Sequence, residues 1–294
     1  LYSALIQCEG DETMNFHSDE WVMENLIHHL HEAKTLVPEQ HIVLIAVQGS
    51  QNYGLDYEGS DVDTKCIITP TFKEIALARQ PKSTTHLRAN DEHIDMKDIR
   101  LYVQTFRKQN LNFLEILYTP YYWMPNSWFA GQWSRLQSRR DDITHYNKVR
   151  SVKSMVGIAS EKFFALEHHY PSRMEWIEKY GYDPKQLSHL LRVEEYLMRY
   201  MRNEPYGECL RTNQADYLKE VKLGYYSLEE AREVANKAYN NIRVEADNFI
   251  EFHIYDSIIF AQSLNENLSK VIRNNFFVSY SIKVNININA FFSL

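Results

Sequence analysis

A chain of 294 residues with 44% hydrophobic residues can fill one large core or two modest ones. Its formal charge of −7 excludes a protein that coats nucleic acid non-specifically, because such binding needs many Lys and Arg on phosphates; a local basic groove stays open. Three cysteines, Cys8, Cys66 and Cys209, share no metal-type spacing, which excludes a disulfide framework or a zinc site and implies buried or idle thiols in a reducing cytoplasm. No apolar run reaches the length of a membrane span and residues 1–10 lack the layout of a signal peptide, so the expectation is a cytoplasmic protein without a membrane partner.

Met14 precedes the first helical segment and marks the expected biological start. Ser18 reads as a helix cap, with Asp19 and Glu20 in the first turn and Val22, Leu26, Ile27 and Leu30 at helical spacing. Residues 42–47 are a continuous apolar run of strand length ending at Gly49-Ser50, and 61–68 form a second strand stopped by Pro70. Two shorter strands, 84–88 and 92–97, flank an Asn90-Asp91 turn. After Asp98 the period turns helical, with long stretches at 98–109, 145–168, 183–202 and 227–251. The loop at 119–128, rich in Pro, Tyr and Trp, reads as the junction of two lobes. The fold class expected is α+β: a small mixed sheet with flanking helices over 14–125, a helical lobe over 126–272, and a tail rich in Asn, Ile and Phe over 273–294.

The stretch from Gly49 to Asp63 carries the chemistry. A Gly-Ser pair at the end of a buried strand lets backbone approach a phosphate, and a helix opening there turns free N–H groups toward the anion. Gly54 helps the chain turn back. In Asp61-Val62-Asp63 the strand period of two puts both carboxylates on one face and Val62 in the core. Paired carboxylates repel unless a cation lies between them, and magnesium suits two acids plus substrate phosphates. A third acid is expected on a neighbouring strand; Asp95, between Ile94 and Met96, fits that position, whereas Asp98 reads as the cap of the next helix.

Gly49-Ser50, ten intervening residues and Asp61-x-Asp63 resemble the signature of DNA polymerase beta-like nucleotidyltransferases. The form Gly-Ser-x-x-Tyr-Gly-Leu with Ser-Asp-Val-Asp resembles the branch associated with RNA repair and RNA ligases. Three later segments agree with it: the one around Asn110 and Glu115, Tyr182-Asp183-Pro184-Lys185 with His189 and Arg192, and Lys222-Leu223-Gly224. The resemblance spans about 42–251; it departs where Lys108 is followed by Gln109 rather than the usual Gly. It implies transfer of a nucleoside monophosphate from a triphosphate, with Asp61, Asp63 and Asp95 as catalytic metal ligands. Two Mg2+ ions are expected, Mn2+ also fits, and RNA is the implied partner.

Asp183-Pro184 opens a helix on which Leu187, Leu190, Leu191, Leu197, Met198 and Met201 form one side, with Lys185, His189, Arg192 and Tyr196 opposite. That stripe either faces water or closes over the triphosphate; the match to the family's Lys-to-Arg pattern favours the second, making Gly49, Ser50, Lys185, His189 and Arg192 the nucleotide-binding set. Glu194 falls on the apolar side and needs a partner. His28, His29, His31, His168 and His169 read as solvated. The run Arg135, Arg139, Arg140, Lys148, Arg150 and Lys153 is a solvated face or an RNA path. The acceptor is expected to be an RNA 3′ end; a protein, a small molecule, or a nucleotide-binding module without catalysis are the alternatives. Nucleotide choice and oligomeric state are open.

Overall fold

Ser18 starts the first helix by accepting the Trp21 backbone N–H at 3.2 Å, as its position implies. The computed structural model describes residues 16–89, 91–125 and 127–272; Cys8, Met14, Asn90 and the 273–294 tail lie outside them. The sheet half runs α1 (Asp19–Leu36), β1 (His41–Gln48), α2 (Ser50–Tyr53), β2 (Asp63–Thr69), α3 (Phe72–Ala76), β3 (Ser83–Leu87), β4 (His93–Asp98), α4 (Ile99–Arg107), α5 (Leu111–Leu114) and β5 (Tyr122–Trp123). The helical half runs α6 (Ser127–Gln137), α7 (Arg140–His145), α8 (Lys148–Ala165), α9 (Met174–Tyr180), α10 (Pro184–Met201), α11 (Tyr206–Leu210), α12 (Ala215–Lys222) and α13 (Leu228–Ile272).

Among the described residues the sheet has the order β3-β4-β2-β1-β5, with β2 and β4 parallel and the other neighbours antiparallel. Alternation along the strands sorts the two faces. Ile45 and Val47 of β1, Cys66 and Ile68 of β2, and Ile94 and Met96 of β4 pack against Val22, Leu26 and Leu30 of α1. Leu44 and Ala46 of β1 and Ile67 of β2 turn to the other face, into a larger core continuous with α8, α10 and α13. Asp63 of β2 and Asp95 of β4 therefore look toward the helical half.

Four sequence expectations change. The second strand starts at Asp63, so Asp61 and Val62 form the approach to it rather than its first residues. The loop at 119–128 contributes β5, which pairs with β1 through Tyr122 and Trp123 and widens the sheet. The last helix continues from 251 to Ile272. His28 and His31 are exposed as expected, but His29 is fully buried. Its Nδ1 lies 2.9 Å from Thr64 Oγ1 and its Nε2 3.0 Å from Glu92 Oε2, while Glu92 Oε1 accepts the Val62 N–H at 3.2 Å. Adjacent histidines on a helix point apart, and the one that meets the sheet is fastened to the backbone beside Asp61.

Gln109 gives the departure from the expected Gly a physical meaning. Its φ of 53° lies in the left-handed region that Gly occupies without strain. Its buried amide compensates: Nε2 donates to the carbonyls of Phe106 and Ile143, each at 2.9 Å, and Oε1 accepts from Ser151 Oγ at 2.9 Å. Left-handed backbone costs about 1 kcal/mol, and three satisfied hydrogen bonds contribute roughly 3 kcal/mol. Gln109→Gly should therefore lower the unfolding free energy by about 2 kcal/mol in urea titration; a variant as stable as the parent would mean that relief of backbone strain outweighs the lost bonds.

Candidate active site

Strand β1 ends at Gly49, whose φ of 98° turns the chain into the single turn of α2, and Gly54, with φ of 74°, turns it out again. The expected helix after Gly-Ser is thus one turn long. Gln51, in that turn, donates from Nε2 to the Asp61 carbonyl at 2.9 Å, so the Gly-Ser turn and the acidic segment hold each other. Val62 is fully buried between the two acids, as alternation requires.

Asp63 accepts the His93 backbone N–H at 2.8 Å and faces His93 Nδ1 at 3.1 Å, both on Oδ1. Burial, and then the Asp61 charge, raise the Asp63 carboxyl above its ordinary value despite the two bonds from His93. Asp95 sits one pair further along the ladder, opposite Lys65, which binds Asp95 Oδ2 through Nζ at 2.8 Å. Among the described residues no group of three or more His, Cys, Asp or Glu is placed to hold a metal ion. Asp61 and Asp63 offer hard oxygen donors that fit a magnesium-type cation completed by phosphate oxygens. Asp98 caps α4 through the Arg100 N–H, as expected.

The stripe of α10 is covered at one end and partly open at the other: Arg192 and Tyr196 are buried, Lys185 and His189 half-buried. Asp183 caps the helix with Pro184 in its first turn, and Arg173 locks Asp183 through contacts of 2.7 and 2.8 Å. Arg192 and Tyr196 are buried, and the Arg192 guanidinium lies 3.7 Å from the centre of the Tyr53 ring in α2. Arg192 Nε and Nη1 are buried without a hydrogen-bond partner. Burial and the charges of Arg192, Lys185, Lys162 and Lys222 hold the His189 imidazole well below its ordinary value. Glu194 finds its partner in Asn241, at 2.8 Å. A groove of about 440 Å3 lies elsewhere on α10, lined by Leu191, Glu194, Met198 and Tyr217, and contains none of the site residues.

Two residues of this region escaped the sequence reading as functional groups. Lys222, at the end of α12, is pushed down to about 8, first by burial and then by Lys185, and feels the opposing charges of Asp61 and Asp56; its Nζ lies 4.2 Å from the Tyr57 ring centre. Its only sequence signal was the Lys-Leu-Gly segment. Glu115 is buried at the end of α5 and accepts from the Tyr53 hydroxyl and the Gly49 backbone N–H, with Lys65 and Arg192 close enough to act on its charge. The basic run from Arg135 to Lys153 is mainly exposed: Arg139 pairs with Asp142, Arg140 lies over Tyr118, and Arg150 donates to the Arg107 carbonyl.

Burial pushes the Glu115 carboxyl from an ordinary 4.5 up to about 7, against the lowering effect of its hydrogen bonds and neighbouring cations. The folded state then holds this proton more tightly than the unfolded chain does, and the associated stability, full at low pH, is lost as pH rises through about 7. Glu115→Gln removes that dependence. Urea unfolding at pH 5 and pH 7.5 should show the parent losing stability relative to the variant at the higher pH; parallel profiles would contradict it.

The family described as the RNA repair pathway DNA polymerase beta family matches residues 20–201. This range takes in α1, which the sequence resemblance had left out, and stops before Lys222. A crystal structure of a nucleotidyltransferase-like protein from Exiguobacterium sibiricum is similar to the chain at 10% identity, covering 81% of this chain and 78% of that one with a TM-score of 0.29. No curated protein matches. With the Gly-Ser turn, the paired acids and a family match over more than half its length, the chain belongs to the RNA repair pathway DNA polymerase beta family and is a nucleotidyltransferase.

Proposed function

We propose that the protein moves a nucleoside monophosphate from a nucleoside triphosphate onto a hydroxyl at an RNA end, using one face of β2 and the stripe of α10. The observation that carries this reading is Arg192: two buried guanidinium nitrogens without hydrogen-bond partners, stacked on the helical turn that follows Gly49. Even with its charge balanced by the Tyr53 ring and by Glu115, a buried guanidinium with two open donor nitrogens is costly, and an anion beside the Gly-Ser turn would satisfy them.

In this reading Asp61 and Asp63 hold Mg2+, with Mn2+ as a substitute. When bound, the ion supplies charge stabilisation for the triphosphate as the bond to the leaving group breaks. Lys185, Arg192 and Lys222 neutralise phosphate oxygens, and the Gly49-Ser50 turn gives backbone room to approach them. His189 adds a hydrogen-bonding group. The acceptor hydroxyl releases its proton to solvent as its oxygen bonds to the α-phosphorus, the bond from that phosphorus to the α,β-bridging oxygen breaks, and pyrophosphate departs. The family description and the exposed basic run at Arg135, Arg139, Arg140, Arg150 and Lys153 favour RNA as acceptor. Buried free thiols at Cys66 and Cys209 suit the reducing cytoplasm where that substrate occurs.

Asp61→Asn and Asp63→Asn should each reduce transfer at least ~100-fold, as loss of a group serving transition-state charge does, while leaving thermal unfolding unchanged. The assay offers ATP, CTP, GTP and UTP labelled at the α-phosphate to nicked tRNA, intact tRNA, total protein and aminoglycosides. Label on RNA supports the acceptor assignment, label only on protein or a small molecule overturns it, and full turnover in either Asn variant overturns the site.

Lys185→Ala and Lys222→Ala test the far side of the cleft, because a charge-assisted phosphate contact contributes about 1.5–3 kcal/mol. Each should raise the nucleotide Kd about tenfold or more in calorimetric titration with a smaller change in turnover. Unchanged affinity in both would remove the stripe from the nucleotide site.

A further inference from the structure

Two rows of side chains point from the sheet toward the helical half: Asp63, Lys65 and Ile67 from β2, and His93, Asp95 and Lys97 from β4. Because β2 and β4 run parallel in this register, His93 is the residue that reaches Asp63, and Asp95 is matched to Lys65. Along this face β2 therefore carries Asp63-x-Lys65, an acid followed two residues on by a cation.

Lys65 is held in place by more than Asp95. It is 5% exposed, its Nζ lies 2.8 Å from Asp95 Oδ2 and 4.2 Å from the Phe113 ring centre, and its charge acts on buried Glu115. Lys97 approaches the same Phe113 ring at 4.2 Å and also feels the Asp95 charge. One carboxylate thus faces two ammonium groups. A second divalent ion at Asp95 would have to displace the better buried of them from a carboxylate, a π face and a buried acid at once. By contrast, Asp61 and Asp63 have no ammonium at ion-pair distance among the described residues: His93 lies 3.1 Å from Asp63, and Lys222 and Arg173 act on Asp61 only through their charge.

We propose that Lys65, rather than a second divalent ion, is the cation that serves Asp95, so that the centre takes one divalent ion, at Asp61 and Asp63. This rests on the nucleotidyl-transfer reading above and replaces the expected second ion and the metal-ligand role of Asp95. Lys65 and Asp95 become positioning residues, a fixed pair of charges beside the site.

The test counts bound Mn2+ by electron paramagnetic resonance, in the presence of a triphosphate with a non-hydrolysable α,β bridge. The parent should bind one ion per chain, Asp95→Asn should bind one with affinity within about threefold, and Asp61→Asn should bind none tightly. Lys65→Met, checked for folding by circular dichroism, should gain a second ion. Two ions on the parent, a tenfold loss of affinity in Asp95→Asn, or a folded Lys65→Met protein that still takes one ion would each overturn the proposal while leaving nucleotidyl transfer intact. A parent that binds no ion would overturn both.

Discussion

The buried carboxyl of Glu115 is the point from which the rest of the site is held. It collects the Tyr53 hydroxyl and the Gly49 N–H from the Gly-Ser turn, and it lies within the field of Lys65 from β2 and Arg192 from α10. These four groups come from the Gly-Ser turn with α2, the strand that carries Asp63, and α10. A buried acid of this kind is destabilising unless its partners are complete, so the fold keeps α2, β2 and α10 in one relative arrangement or leaves the carboxyl unpaired. Tyr53 reinforces the joint from its other side, where its carbonyl accepts the Thr212 N–H at 3.2 Å and its ring carries Arg192.

The same joint explains why the functional charges segregate. Asp61 and Asp63 lie on the sheet side, where Val62 is buried between them, and Lys185, Arg192 and Lys222 lie on α10 and α12, while Lys65 and Lys97 of the sheet are engaged by Asp95 and Phe113. On the proposed reading, a triphosphate between them would meet positive charge on one side and the paired acids on the other. His29 and Glu92 secure the acidic side from behind: they bridge α1 to β2 and anchor the Val62 N–H, out of contact with the cleft. Preorganisation of this kind is what lets fixed charges act on a reacting phosphate without rearranging first.

Much of this could be read from the residues, and the failures have physical causes. Asp183-Pro184 and Ser18 are local signals, and each capped its helix as read. The apolar run into Gly49 and the spacing to Asp61 and Asp63 are local too, and they carried the family. Periodicity found the Lys185-to-Tyr196 stripe but could not say that it was covered at one end, because both sides of α10 are packed by helices from elsewhere in the chain. Glu115 sits among Leu114, Ile116 and Leu117 and carries no local mark of burial; its meaning comes from Tyr53 and Arg192, which are distant in sequence. The pairing of Lys65 with Asp95 depends on the register between two parallel strands, and alternation gives faces without giving register. Strand β5 is two residues long, below what any period can reveal.

The central claim is that the Gly-Ser turn, the paired acids and Arg192 form one nucleotide site. Anomalous diffraction from crystals grown with Mn2+ and a non-hydrolysable triphosphate addresses it directly. The account predicts a manganese peak between Asp61 and Asp63, with the triphosphate bridging it to the Arg192 guanidinium and the Gly49-Ser50 backbone. A nucleotide bound in the groove lined by Leu191 and Tyr217, or manganese away from both acids, would contradict it.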